Sequence, residues 1–260
     1  MPWSDFDGKP YTREQFAARV GTLRWRADRW KPLGITLHNT ASPTLAQWVE
    51  EGERHDARIR NLQSYYENNL GWHAGPHLFI SRNFINGFSN ILKPGVHSRC
   101  YNATHIGIEM VGDYNSEEFD SGDGSLVRDN AVFAMAHLYR ALKLQPSGLV
   151  FHKECRRDNH DCPGRNVQKA DVIRRVVDCI RTLDGVDEPP QPKTGEVASS
   201  DGTLNLRASA GVQSTIISIL RNGDKVDLLD ETVVGSTKWL YVRAEDGQTG
   251  WAAARYVEIA

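Results

Sequence analysis

The 260-residue chain lacks long apolar runs. No stretch approaches the roughly 18 consecutive apolar residues that span a bilayer, which excludes a membrane-inserted helix. The first residues, MPWSDFDGKPYTREQF, hold no apolar core of a secretory leader. The expectation is a protein made in the cytoplasm that reaches any outside target by another route. Cysteine is scarce as well: Cys100, Cys155, Cys162 and Cys179 are too few to staple a chain of this length. In a cytoplasmic setting each is expected to be reduced, as a buried small residue or as a metal-binding or catalytic thiol. Charge of one sign is missing too. A formal net charge of -2 excludes a general nucleic-acid binder, which would carry a strong basic excess.

Apolar residues cluster everywhere except in one segment. DGVDEPPQPKTGEVASSDG (184–202) combines Pro, Gly, Ser and acidic residues with almost no large apolar side chain, and reads as a linker. It separates residues 1–183 from residues 203–260. The first part alternates strand and helix signals. GITLHN (34–39), HLFISRNFINGF (77–88, as two strands around Arg82-Asn83), HIGIEMVG (105–112) and GLVFH (148–152) are the strand candidates. A mostly helical stretch from Leu45 to about Leu70 and periodic helices over 125–144 and 166–183 lie between and after them. The fold class expected is α/β, a mixed central sheet flanked by helices. After the linker, short alternating strands punctuated by Asn-Gly and Asp-Gly predict a small all-β barrel.

Three residues stand out for chemistry. His38 ends one strand, His152 ends another, and Cys162 follows in the loop HKECRRDNHDCPG. Strand ends are where α/β sheets hold functional groups rigidly beside accessible loops. Two imidazoles and a thiolate leave one tetrahedral position open, the pattern of a catalytic zinc site. On spacing alone, each histidine reads more readily as a satisfied core or surface residue, and Cys162 as a buried thiol before the Pro163-Gly164 turn.

HNT (38–40), WHAGPHLFI (72–80), HSRCYNATHIGIEMVG (97–112) and FH with HDCPG (151–164) resemble, in order, the motifs of the type 2 N-acetylmuramoyl-L-alanine amidase family. That family includes phage endolysins, bacterial amidases and animal peptidoglycan recognition proteins. The resemblance covers roughly residues 30–183. It implies one zinc ion per chain held by His38, His152 and Cys162, and hydrolysis of the amide between N-acetylmuramic acid and L-alanine. It also implies that Glu109, in the strand HIGIEMVG, is the general base; the residue reading alone leaves a buried ion pair open. His97, Tyr101 and Asn102 match a segment that borders the substrate groove, and are expected to touch substrate. His73 and His77 flank the same region, with a structural role as the competing reading. Two departures stand out. Pro76 occupies the place of a tyrosine that other members use, and His160 stands two residues before Cys162 where many have an oxyanion-stabilising lysine. The acidic stretch DYNSEEFDSGDG (113–124) lacks the ligand alternation of a calcium loop and reads as a solvated loop.

LNLRASAG, the Trp239-Leu240-Tyr241-Val242 strand and the Gly250-Trp251 turn with Tyr256 resemble a bacterial SH3-like domain, which implies a wall-binding tether without chemistry of its own. The combined reading is a zinc amidase that cuts peptidoglycan, of phage or prophage endolysin type, released to the wall with the help of a holin. Its rivals are a cytoplasmic amidase that recycles muropeptides and a non-catalytic peptidoglycan-binding protein.

Overall fold

A computed structural model of the protein describes Trp3 and residues 5–25, 29–50, 55–186 and 193–259. The chain divides into two compact units, residues 1–183 and 184–260.

The first unit is built on six strands, β1 (Pro10–Tyr11), β2 (Gly34–Asn39), β3 (Leu78–Ile80), β4 (Ile85–Gly87), β5 (His105–Met110) and β6 (Val150–Phe151). Their order across the sheet is β1-β4-β3-β5-β2-β6. β3, β5, β2 and β6 run parallel, whereas β4 pairs antiparallel with β1 and β3. The central strands β2 and β5 are buried nearly throughout, as parallel strands covered on both faces are. On one face Ile35, Leu37, Ile106, Ile108 and Met110 pack with α1 (Arg13–Thr22), α4 (Gly122–Leu142) and α5 (Lys169–Leu183) through residues such as Phe16, Val127, Met135 and Val172. On the other face a smaller aromatic cluster joins Trp3, Phe79, Phe88 and Val111 to Trp48 of α2 (Leu45–Glu50) and Ile59 of α3 (His55–Asn68).

Helix α1 has no counterpart in the sequence reading. Its signal is a capping box: Thr12 Oγ1 accepts from the Gln15 amide, while Gln15 Oε1 accepts from the Thr12 amide. The expected helix over 45–70 is two helices, with residues 51–54 outside the described ones. Helix α5 starts three residues later than expected, at Lys169, and α4 three residues earlier, at Gly122.

The second unit is a barrel-like sheet of seven strands, β7 (Lys193–Val197), β8 (Thr203–Arg207), β9 (Ile216–Arg221), β10 (Lys225–Val234), β11 (Thr237–Ala244), β12 (Thr249–Ala253) and β13 (Val257–Ile259). Its core gathers Val197, Leu204, Leu206, Val226, Leu240 and Val242. Strand β7 corrects the expected linker. Lys193–Val197 pairs with both β10 and β13, and Val197 enters the core, so part of the Pro/Gly-rich segment is barrel. The alternation Thr194-Gly195-Glu196-Val197 carried too few apolar residues to register as a strand.

The expectation of four reduced cysteines is also corrected. Cys100 and Cys155 form a disulfide, with Cα atoms 5.6 Å apart, and only Cys162 and Cys179 are free. The residues are 55 apart in sequence, and no local pattern announces that the loop before β5 meets the loop after β6. Unfolded in denaturant without reductant, the protein should therefore react with a thiol reagent at Cys162 and Cys179 alone, and at all four cysteines after reduction. Four reactive thiols before reduction would refute the cross-link. Replacing Cys100 and Cys155 together by serine should cost about 2–4 kcal/mol of stability, read from denaturant midpoints.

Candidate metal centre

The parallel register sets His38 of β2 directly beside Glu109 of β5, and Glu109 beside Phe79 of β3. His152 directly follows Phe151 of β6, which pairs with Leu37. Three neighbouring strands thus present Glu109, His38 and His152 at one end of the sheet. Cys162 returns from the loop after β6. Its sulfur accepts the Asn39 amide at 3.1 Å, and its carbonyl accepts the Lys153 amide at 2.9 Å. Gly164 holds the exit from this turn at φ +104°, where an added Cβ would stand 2.5 Å from the Tyr114 backbone. Cys162 is only 3% exposed. One ligand atom from each of His38, His152 and Cys162 lies within 4.8 Å of the others.

Hydrogen bonding fixes which atoms face inward. Burial, followed by the neighbouring histidines, holds His38 well below the usual histidine range, and burial lowers His97 to about 3. Burial also lowers His152, against the opposing effect of Asp158. All three rings are therefore neutral near pH 7 and carry one proton each. His97 Nε2 lies 3.2 Å from the His105 carbonyl, an acceptor only, so its proton sits there and Nδ1 is bare. His38 Nε2, 3.0 Å from that Nδ1, must donate, which leaves His38 Nδ1 bare. His152 Nε2 lies 3.0 Å from a carboxylate oxygen of Asp158 and must donate, which leaves His152 Nδ1 bare. The two bare Nδ1 atoms are 3.1 Å apart. With no proton between them, they repel unless a cation binds both. Two zinc–nitrogen bonds at the tetrahedral angle would separate their nitrogens by about 3.4 Å. The residues fit a thiolate–bis-imidazole zinc site.

Glu109 lines a groove of about 540 Å³ with Thr40, Arg58, Asn61, Tyr65, Tyr66 and Phe79. Burial raises its carboxyl to about 8. Burial, and then the Glu109 charge, push the Cys162 thiol up, while the Asn39 amide pulls it down. A bound cation favours the ionised form of both groups.

The other candidates separate by position. His160 is exposed, stacks on His152 with centroids 4.6 Å apart, and accepts weakly from the Cys162 amide at Nδ1 (3.4 Å). His97 does not present its ring nitrogens to a substrate: both are engaged, by His38 and by the His105 carbonyl. Asn102 is likewise used within its loop, its Oδ1 accepting the His97 and Ser98 amides, each at 2.7 Å. Tyr101 is half-buried against His105. His77 is structural: Nε2 donates to the Lys93 carbonyl, Nδ1 accepts the Gly107 amide, and the ring stacks on Trp30. His73 is exposed. In the acidic loop, Glu117 accepts the Leu45 and Asp113 amides, so its carboxylate braces the start of α2 and is not a solvated charge. Asp158 and the groove residues Arg58, Asn61, Tyr65 and Tyr66 are site residues that sequence reading missed.

The profile described as N-acetylmuramoyl-L-alanine amidase matches residues 28–165, more than half of the chain, and that described as bacterial SH3 domain matches residues 202–258. No curated protein matches the chain. Among solved structures, the endolysin N-acetylmuramoyl-L-alanine amidase LysCS from Clostridium intestinale is similar over 58% of this chain and 89% of its own, with 21% identity and a TM-score of 0.39. Drosophila PGRP-LB is similar over 59% of this chain and 86% of its own, with 20% identity and a TM-score of 0.42. The amidase match spans His38, Glu109, His152 and Cys162, and the second match spans most of the barrel. The chain belongs to the N-acetylmuramoyl-L-alanine amidase family and carries a bacterial SH3 domain at its C-terminal end.

Proposed function

We propose that the protein is a zinc-dependent amidase of endolysin type, which hydrolyses the bond between N-acetylmuramic acid and L-alanine in bacterial peptidoglycan. The observation that carries this reading is the pair of imidazole Nδ1 atoms 3.1 Å apart beside a buried thiol, one strand away from the Glu109 carboxyl. His38, His152 and Cys162 would hold the metal. A zinc ion there supplies Lewis acidity and makes water a competent nucleophile near neutral pH. Glu109 takes the proton of the attacking water and passes it to the leaving amine, a task its raised proton affinity suits. His160 reaches the same end of the site through its stack on His152, with Nε2 as the donor toward the oxyanion. The groove lined by Arg58, Asn61, Tyr65 and Tyr66 takes the glycan and stem peptide. The Cys100–Cys155 disulfide supports action outside the reducing cytoplasm. In the second unit, half-buried Tyr241 and Trp251 pair across strands with ring centroids 5.2 Å apart, an aromatic surface suited to wall contact.

Exposure of new L-alanine amino groups on purified wall tests the reaction, since new reducing sugars would instead mark a glycosidase. Chelation should abolish activity, and Cys162→Ser should bind zinc far more weakly. Glu109→Gln should keep zinc and lose about 10²–10⁴ in kcat. Its acid–base behaviour is testable without substrate. The folded, metal-free chain retains the Glu109 proton up to about 8, whereas an unperturbed carboxyl loses it near 4.5. Stability therefore falls as pH rises through this window. Chelated Glu109→Gln should gain on chelated wild type by on the order of 2–4 kcal/mol between about pH 5 and pH 8. The histidines are common to both proteins and cancel. An equal difference at both pH values would mean an ordinary carboxylate and count against the base.

Residues 1–186 alone should cleave a soluble muropeptide at nearly the full rate and bind intact wall poorly. Unchanged sedimentation of this fragment with wall would rule out the SH3 domain as the tether.

A further inference from the structure

Asp158 has no part in the proposed reaction, and its side chain is only 13% exposed. One oxygen, Oδ2, accepts three hydrogen bonds: from His152 Nε2 at 3.0 Å, from the Ser98 hydroxyl at 3.1 Å and from the Arg99 amide at 3.0 Å. The other oxygen lies 3.4 Å from Arg99 Nε, whose side chain is 78% exposed. So open an ion pair contributes little. The informative contacts are the three on Oδ2: one orients His152, and the other two join the His152–Cys162 loop to the turn that begins at Ser98.

We propose that Asp158 is a positioning residue for the metal centre, which holds His152 with a bare Nδ1 facing His38 and ties it to the turn carrying His97. This inference rests on the zinc reading above. A neutral imidazole has two tautomers of similar energy. The wrong one would aim an N–H at the metal and destroy the ligand. For His38 the choice is made by His97 and the His105 carbonyl; for His152 it is made by Asp158. A carboxylate partner also raises the basicity of the opposite nitrogen, strengthening the ligand. The two supports are linked, because Asp158 grips Ser98 and Arg99, next to His97.

The disulfide separates orientation from mere loop tethering. Cys100–Cys155 joins the same two loops independently of Asp158. With the cross-link intact, loss of Asp158 leaves the loops joined and frees the His152 ring. The test is zinc affinity of the full-length oxidised protein, by competition with a chromophoric chelator at constant pH. Asp158→Ala should bind zinc about 10–100-fold more weakly, with its thermal transition near that of wild type. Asp158→Asn keeps an acceptor oxygen without the charge and should fall between. Ser98→Ala removes only a loop contact and should stay within about twofold of wild type. Wild-type affinity in Asp158→Ala would overturn the proposal, as would a loss in Ser98→Ala equal to that in Asp158→Ala. If Asp158→Ala fails to fold, Asp158→Asn decides, and wild-type affinity in that variant overturns the proposal. Wild-type protein that takes up no zinc overturns the zinc reading itself, a result distinct from the others.

Discussion

Two nitrogens that both lack a proton face each other at 3.1 Å, and much of the first unit serves to keep them there. Such a contact is unfavourable without a cation, so each ring must be held by its far side. On the far side of His38 stands His97, positioned over β5. Gly107 makes room for it, since a Cβ at that residue would lie 2.5 Å from the His97 ring. On the far side of His152 stands Asp158. The strand order β5-β2-β6 supplies the near sides, because adjacent parallel strands in register carry their end residues to one place. The two-faced core packs these strands from both sides.

Electrostatics at the site follow from the same arrangement. Burial suppresses the charge on Glu109 and on the Cys162 thiol, and each charge would further disfavour the other. Without a cation, neutral acids and facing lone pairs at this end of the sheet would be unfavourable. A divalent cation would relieve both at once. Binding energy would then appear as folding energy, since ligand geometry and ionisation are absent in the unfolded chain. Polarity of this kind is not a flaw in packing. Under the zinc reading it would give the pocket a preference for metal that an apolar pocket of the same shape would lack.

His38, His152 and Cys162 were legible as strand-end and loop residues, but the family resemblance singled them out as a set, and the structure brings their ligand atoms within 4.8 Å of one another. Glu109 was legible in position, since alternation in HIGIEMVG assigns it the face opposite Ile106 and Ile108, the one that meets His38, whereas its role as base came from the family resemblance. His97 and Asn102 belong to the right neighbourhood but face inward, a distinction set by Gly107 and by one amide side chain bridging two backbone groups. Nothing in HKECRRDNHDCPG separates Asp158 from Glu154 or Asp161, because only the tertiary approach of Ser98 and His152 gives one acid three donors. The disulfide was obscured by an assumption about compartment, not by chemistry. Strand β7 was obscured by composition, since Lys193–Val197 buries little beyond Gly195 and Val197.

The two departures from the family motif bear on each other through geometry. Pro76 removes a phenol and contributes no side-chain donor, though its carbonyl accepts the Ser89 amide. Under the proposed mechanism, a bound metal and the Cys162 side of the site would then stabilise developing negative charge. His160 is the side chain placed there, and it is not free to swing as a lysine would be. Its ring lies within 18° of parallel to His152, and its Nδ1 is turned to the Cys162 amide. Only Nε2 remains to donate, in a direction set by the metal ligand beneath it. Under the proposed mechanism a lysine would supply a mobile charge at this position. The stacked histidine supplies a fixed N–H donor instead, so its geometry follows any displacement of His152 and depends on the same carboxylate, Asp158, that orients the ligand.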